Sequence, residues 1–140
     1  MEKLLIALCL VELVGCATQA VLPSQAKQAP MNNVFKHQEI AKNDDAKLIV
    51  VRDKGYLGSG CSTGVYINNE KSAVLEPGEK VTFILHPGEW SVAMKGEGAL
   101  CISDDVPSGR DVELKPRETK AVRLFADPAG NIDLKPLPLM

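Results

Sequence analysis

Residues 81–94 have the sequence VTFILHPGEWSVAM. Apolar side chains recur at every second position on both sides of Pro87-Gly88: Val81, Phe83 and Leu85 before it, and Trp90, Val92 and Met94 after it. Strict alternation indicates strands with one buried face. Pro-Gly is typical of a type II turn, because proline presets φ at the second position and glycine supplies a positive φ at the third. The stretch therefore predicts two strands joined by a turn.

The same pattern continues in both directions, with turn signals at Asn68-Asn69 and Pro77-Gly78. Further strands are predicted at Lys47–Arg52, Thr63–Asn68, Lys71–Leu75, Leu100–Ser103, Val112–Lys115, Thr119–Phe125 and Ile132–Leu134. No stretch resembles the long crossover helix that usually joins parallel strands. The fold class is therefore predicted to be all-β, a single antiparallel β-sandwich or open barrel of about 7–8 short strands over residues 47–140.

The first 15 residues predict a cleavable secretory signal. Lys3 precedes the apolar run Leu4–Val11, which is shorter than the roughly 20 residues that cross a bilayer. The tetrad Leu13-Val14-Gly15-Cys16 resembles the lipobox of bacterial lipoproteins, with an aliphatic residue three before the cysteine and a small residue at the cut. Glu12 departs from the apolar pattern. The resemblance implies that Cys16 receives diacylglycerol on its thiol and becomes the first residue of the mature protein.

The resemblance to lipoproteins also implies a location. In enterobacterial lipoproteins an aspartate after the lipidated cysteine favours retention in the inner membrane, whereas most other residues allow transfer outward. Here that position is Ala17. The expected location is the outer membrane, facing the periplasm, with the inner membrane as the less expected alternative.

Residues 16–46 are predicted to be a lipidated N-terminus and tether. Residues 17–30 are rich in Ala, Gln, Ser and Pro without a clear period, which is typical of a linker. As a flexible coil, residues 17–46 would span about 30 Å. Residues 32–43 carry a faint helical pattern, so they are either a short helix on the domain or more linker.

Charge and length limit the partners. The chain has 140 residues, and removing residues 1–15 leaves 125 residues with 15 Lys+Arg and 16 Asp+Glu, a net charge of −1. A nearly neutral chain without basic clusters argues against binding to nucleic acid. Attachment to the membrane is therefore expected to come from the lipid.

Two cysteines remain after Cys9 leaves with the signal and Cys16 takes the lipid. Cys61 and Cys101 would lie in an oxidising compartment, where an isolated pair is most simply a disulfide. Closing a loop of this length would contribute about 4 kcal/mol to stability. The alternative is two free, buried thiols.

The strand pattern also resembles known modules. Val65–Asn68, Pro77–Phe83 and His86–Val92 are similar to the strands of PEGA-type and carboxypeptidase-regulatory-like domains and of small bacterial lipoproteins. The resemblance covers roughly residues 47–95. It implies a β-module that is mostly non-catalytic, and the Cys61–Cys101 pair is not part of its general pattern.

The motifs that suggest chemistry lack their required context. Gly60–Gly64 matches G-x-S-x-G, but a nucleophile elbow needs a strand, a turn and a helix, and here a strand follows. Asp104, Asp105, Asp111 and Glu113 lack calcium-loop spacing, so they are interpreted as a solvated acidic loop. His37 and His86 are too isolated to predict a metal pair. We therefore expect no enzyme activity, no metal and no cofactor.

A glycine-rich loop suggests a contact instead. Tyr56 and Leu57 are apolar side chains on that loop, and they are the candidates for contact with a partner. The sequence predicts a lipid-anchored, non-catalytic binding or structural module whose partner is another envelope protein or a glycan. The alternative is a regulatory or inhibitory lipoprotein, an envelope-stress effector or one carried by a phage or plasmid.

Overall fold

The computed structural model describes residues 17–55, 61–98, 101, 106–128 and 131–140. Within them the chain forms nine strands and one turn of 3-10 helix at Met31–Asn33. The strands are β1 (Lys27–Gln28), β2 (Ala46–Arg52), β3 (Ser62–Ile67), β4 (Glu70–Leu75), β5 (Glu79–Leu85), β6 (Gly88–Glu97), β7 (Ser108–Leu114), β8 (Thr119–Ala126) and β9 (Ile132–Leu137).

The strands form two sheets, which confirms the predicted all-β sandwich. One sheet has the order β1-β5-β2-β8-β9 and the other the order β4-β3-β6-β7. Most neighbours are antiparallel, but β1 pairs with β5, and β2 with β8, in parallel. The chain between β2 and β8 contains β5 and the whole four-stranded sheet, so strands make the crossover that a helix makes in other folds.

The alternating side chains fill the space between the sheets. Val81 and Phe83 are fully buried on β5, and Leu85 is nearly so. On β6, Val92 and Met94 join the same core, and Trp90 packs against its rim. Leu48 and Val50 on β2, the strand next to β5, belong to the same core. The period-2 pattern therefore correctly identified the buried face of these strands.

Two of the three predicted turns, at Asn68-Asn69 and Pro77-Gly78, are tight turns, and the third, at Pro87-Gly88, is not. Asn68 and Asn69 both have positive φ, 47° and 65°, in the tight link between β3 and β4. Gly78 has a φ of 78°, and the N–H of Glu79 donates to the backbone oxygen of Glu76 over 3.1 Å, as in a type II turn. Gly88 has a φ of 135° and already belongs to β6, so Pro87-Gly88 is a wider bend.

Residues 17–45, which we call the N-terminal strap, pack against the sandwich, and this corrects the expected flexible coil. Val21 and Ala26 are buried on the outer face of the five-stranded sheet, in a cluster with Val51, Ala121 and Leu137. Ala29 is 3% exposed and belongs to the main core. The small side chains that resemble linker composition are therefore the ones that fit against the sheet.

The strap covers the side of the sandwich between β5 and β4. Ala29 N–H donates to Lys80 O, and Ile84 N–H donates to His37 O, each over 2.9 Å. The amide of Gln38 donates to Thr82 O over 2.8 Å. Val34 then forms an isolated bridge with Ala73 on β4. The backbone groups on the outer edge of β5 thus find partners in the strap, which protects an edge from pairing with other chains.

Two further expectations need correction or fall outside the described residues. Residues 32–43 are not a helix beyond the 3-10 turn. Cys101 does not lie on a strand, and its N–H donates to Gly98 O over 3.2 Å in a turn after β6. The neighbouring positions of the predicted Leu100–Ser103 strand, and the signal at 1–15, lie outside the described residues. In the described part of the chain, no helix has the length and apolar character to cross a membrane.

Candidate functional site

The sandwich has two ends, which we name by residues found there. At the disulfide end, β2 and β8 finish and β3 begins, near Asp53, Ala126 and Cys61. At the Trp90 end, β6 begins and the β3–β4 hairpin turns at Asn68-Asn69. The strap starts at the disulfide end, since Thr18 bonds to Ala126, and it runs to the Trp90 end, where it enters β2.

Thr18 is fixed to the disulfide end by three hydrogen bonds. Its N–H donates to Ala126 O over 3.1 Å, and its hydroxyl accepts from Ala126 N–H over 2.9 Å. The same hydroxyl lies 2.8 Å from an oxygen of Asp53, to which it donates, and 3.2 Å from Ala126 O. Next to it, Gln19 and Lys54 exchange a pair of backbone hydrogen bonds of 2.8 and 3.0 Å. The second residue after Cys16 is therefore part of the folded domain.

A buried ion pair lies beneath Thr18. Arg123 Nη2 donates to Asp53 Oδ2 over 2.8 Å, with the Asp53 side chain 1% exposed and the Arg123 side chain 19% exposed. Asp53 Oδ1 and Arg123 Nε are buried without a hydrogen-bond partner. A buried carboxylate without its cation is strongly destabilising. The ion pair with Arg123 and the hydrogen bond from Thr18 therefore stabilise the buried carboxylate of Asp53.

A cationic and aromatic stack extends this cluster outward. Lys135 Nζ lies 3.9 Å from the centroid of the Phe125 ring, and Arg123 Cζ lies 5.1 Å from it. These distances are within the range of cation–π contacts. The ring thus contacts two positive side chains, one on β8 and one on β9.

The predicted disulfide is present. Cys61 and Cys101 are bonded, with their Cα atoms 5.6 Å apart. Cys61 immediately precedes β3, and Cys101 follows β6, the strand that pairs with β3 from Ser62 to Ile67. The bond therefore closes the end of an adjacent strand pair in the four-stranded sheet.

The G-x-S-x-G motif serves a structural contact here. Ser62 is the first residue of β3 rather than the tip of a strand-to-helix turn, and its hydroxyl donates to Glu76. Arg52 is buried nearby and donates to Leu75 O over 2.8 Å. Burial lowers the pKa of the Arg52 guanidinium, opposed by the negative charges of Glu76 and Glu79.

The two histidines lie at the Trp90 end, apart from Ser62. His37 makes edge contacts with Phe83 and Trp90, at centroid distances of 6.1 and 5.7 Å. Burial lowers the pKa of His37 below its usual value of 6.5, with Lys36 acting in the same direction and Glu70 opposing it. His86 Nδ1 lies 2.7 Å from Asp45 Oδ1. The histidines therefore contact aromatic and acidic neighbours rather than each other.

A groove lies on the side of the sandwich between β7 and β9. Its volume is about 500 Å³. The apolar part of its lining comes from Val112, Val122, Leu134, Pro136 and Leu139. Arg110 donates to both carboxylate oxygens of Asp133, over 2.8 and 3.0 Å, and Lys120 Nζ donates to Glu113 O over 2.5 Å. Among the described residues, these two side-chain bridges connect the sheets here.

The predicted site residues divide into two groups. Cys61 and Cys101 are brought together as predicted. Cys16, Tyr56, Leu57, Asp104 and Asp105 lie outside the described residues, so the lipid anchor, the partner-contact loop and part of the acidic loop remain predictions. Among the described residues, no three His, Cys, Asp or Glu side chains converge in a way that would hold a metal ion.

Sequence reasoning missed the Thr18, Asp53 and Arg123 cluster. One signal was available, because Leu48-Ile49-Val50-Val51 is a continuous apolar run. Such a run indicates a strand that is covered on both faces, and something outside the sandwich had to cover the second face of β2. The residues of the strap that do so carry no motif.

Neither a scan against protein-family models nor a search of curated proteins gave a match to this chain. The resemblance to PEGA-type domains rests on the strand pattern alone.

Proposed function

We propose that this protein is a lipid-anchored, non-catalytic binding or structural module of the bacterial cell envelope. The observation that carries the proposal is the position of Thr18. It lies two residues after the cysteine of the lipobox-like tetrad, and among the described residues it is the first that the domain holds by hydrogen bonds. The described part of the fold thus comes within two residues of the expected site of lipid attachment.

The candidate chemistry supports a non-catalytic role. Ser62 is bonded to Glu76, and both histidines lie at the opposite end of the sandwich. The only redox-capable pair in the described residues is the Cys61–Cys101 disulfide. Secretion into an oxidising compartment is compatible with such a bond. Ala17 supports sorting to the outer membrane, facing the periplasm, by resemblance to enterobacterial lipoproteins.

The anchor is tested with two cysteine variants expressed in a host that processes lipoproteins. Cys16→Ser should abolish incorporation of radiolabelled palmitate and leave the precursor uncut. Cys9→Ser is the matched control, since it changes a cysteine within the signal and should retain full labelling. Intact mass of the wild-type protein should show the loss of residues 1–15 and the added lipid. Labelling of Cys16→Ser would refute the anchor.

Location and partner need separate measurements. We expect the labelled protein in the outer-membrane fraction of a sucrose gradient, and recovery in the inner-membrane fraction would refute the sorting proposal. Crosslinking in intact envelopes, followed by mass spectrometry, would then distinguish a structural envelope partner from the target of a regulatory or inhibitory lipoprotein.

A further inference from the structure

The distance between the expected lipid and the folded domain is very short. Only Ala17 separates Cys16 from Thr18, and two residues of extended chain span at most about 7 Å. Thr18 is held by Ala126 and Asp53, and Gln19 by Lys54. An anchor at Cys16 therefore has no flexible coil through which the domain could turn freely.

The direction of the strands determines which end of the domain this short link would hold near the bilayer. Thr18 lies at the disulfide end, and β6 runs over ten residues from the Trp90 end to the disulfide end. At about 3.3 Å per residue, Trp90 lies roughly 23 Å along the strand from Glu97. A lipid at Cys16 thus brings the disulfide end to the bilayer and keeps the Trp90 end away from it.

We propose that the disulfide end is the surface that rests on the lipid headgroups of the membrane. This inference rests on the proposed lipid anchor. The described side chains at this end include Lys54, which is exposed beside Gln19, the exposed Glu76 after β4, and two exposed apolar residues, Val106 and Ile132. Val106 is 74% exposed and Ile132 is 43% exposed, and they precede β7 and begin β9 at this end.

The chemistry of these side chains suits a membrane interface. The apolar side chains can enter the boundary between headgroups and acyl chains, and a lysine is attracted to anionic headgroups. The partner is therefore a lipid surface. The Trp90 end and the groove between β7 and β9 remain accessible from the periplasm in this orientation.

The single tryptophan of the chain supplies the test. The full-length, lipidated protein is reconstituted in phosphatidylcholine–phosphatidylglycerol vesicles that contain lipids with brominated acyl chains, which quench nearby indoles. In the wild type, Trp90 should remain unquenched. In a Trp90→Phe background, Val106→Trp should be strongly quenched. Ile40→Trp is the matched control, because Ile40 is 88% exposed in the strap after His37, and it should remain unquenched.

Two further measurements distinguish a failure of the proposed anchor from a failure of the proposed orientation. Flotation with the vesicles reports the anchor itself, so a wild-type protein that does not float refutes the proposed function before orientation is considered. Insertion of twelve Gly and Ser residues between Ala17 and Thr18 should leave flotation unchanged and reduce the quenching of Val106→Trp by several fold.

Two outcomes would overturn the orientation. One is equal quenching of the tryptophans at positions 106 and 40 in protein that floats. The other is undiminished quenching of Val106→Trp in the insertion variant. Because Trp90→Phe removes an indole that donates to His86 O over 2.8 Å, Val106→Trp and Ile40→Trp are also made with Trp90 retained, where the quenched fraction of the fluorescence gives the same comparison.

Discussion

The two sides of the sandwich, between β5 and β4 and between β7 and β9, are held together in different ways. Between β5 and β4, the N-terminal strap satisfies the backbone groups of Lys80, Thr82 and Ile84 and inserts Ala29 into the core. Between β7 and β9, the sheets are connected by the Arg110–Asp133 ion pair and by Lys120, and a groove remains.

The two sides therefore have different consequences: the strap side stabilises the fold, and the groove side leaves a groove accessible. The strap side buries apolar groups and backbone polar groups together, so a change there removes core contacts. The groove side depends on charged side chains in contact with water, and exposed ion pairs contribute little. A disruption of the strap should therefore affect folding, whereas a disruption of the groove bridges should hardly do so.

The largest effect is expected from Ala29→Asp. The change buries an unpaired charge at a position that is 3% exposed, and we expect a loss of about 3–5 kcal/mol of unfolding free energy. Ala41→Asp is the matched control, because Ala41 lies in the same strap and is exposed. Its effect should stay within about 0.5 kcal/mol. Urea denaturation measures both, and equal losses would contradict a packed strap.

The next effect is expected from the disulfide, which lies at the end of the interior pair β3 and β6 and on neither of these two sides. Cys61→Ala with Cys101→Ala should lower stability by about 2–4 kcal/mol without a change of fold. Denaturation of the wild type in the presence of reductant is the control, and it should match the double variant. Alkylation of two thiols in denatured, non-reduced periplasmic protein would instead show that the bond does not form in the cell.

A smaller effect is expected from acid on the strap side. The pKa of His37 is lowered mainly by burial, so below pH 6.5 the unfolded chain binds a proton that the folded chain resists binding. Stability is therefore fully present above that pH and declines as the pH falls through it towards the folded pKa. The carboxylates with lowered pKa, such as Asp133 and Glu70, act at lower pH.

His37→Asn should flatten this decline between pH 7.5 and 5.5, measured by denaturation midpoints. Asparagine tolerates the left-handed φ of 60° at this position, and it has no titrating group. The two proteins differ only at position 37, so the difference between their pH profiles isolates His37. Identical pH profiles would show that burial of this histidine does not couple to folding.

The smallest effect is expected on the groove side. Arg110→Gln, Asp133→Asn and the double variant should each shift the denaturation midpoint only slightly, because the side chains of the pair are 63% and 36% exposed. The coupling between the two changes should disappear in about 1 M salt, where charges are screened within roughly 3 Å. A loss comparable to that of Ala29→Asp would mean that both sides are essential to the fold.

Much of the sandwich was predictable because its strands alternate with period 2. Val81, Phe83, Leu85, Val92 and Met94 all lie in the core, as the pattern predicted, and Cys61 and Cys101 pair as the expected compartment suggested. The parallel pairs could not be predicted, since the pairing partner of β2 is β8, about 70 residues away. No local pattern specifies a partner at that distance.

The sequence alone determined the local choices: strand or turn, which face is apolar, and the lipobox-like tetrad at Cys16. Tertiary structure alone decided that the N-terminal strap, residues 17–45, packs against the sandwich. Alanine, glutamine, serine and proline are equally compatible with a coil and with an edge segment, because small side chains carry no period. Only the sheet, which offers Lys80 O, Thr82 O and the uncovered face of Val51, selects the packed state and places Thr18 against Asp53.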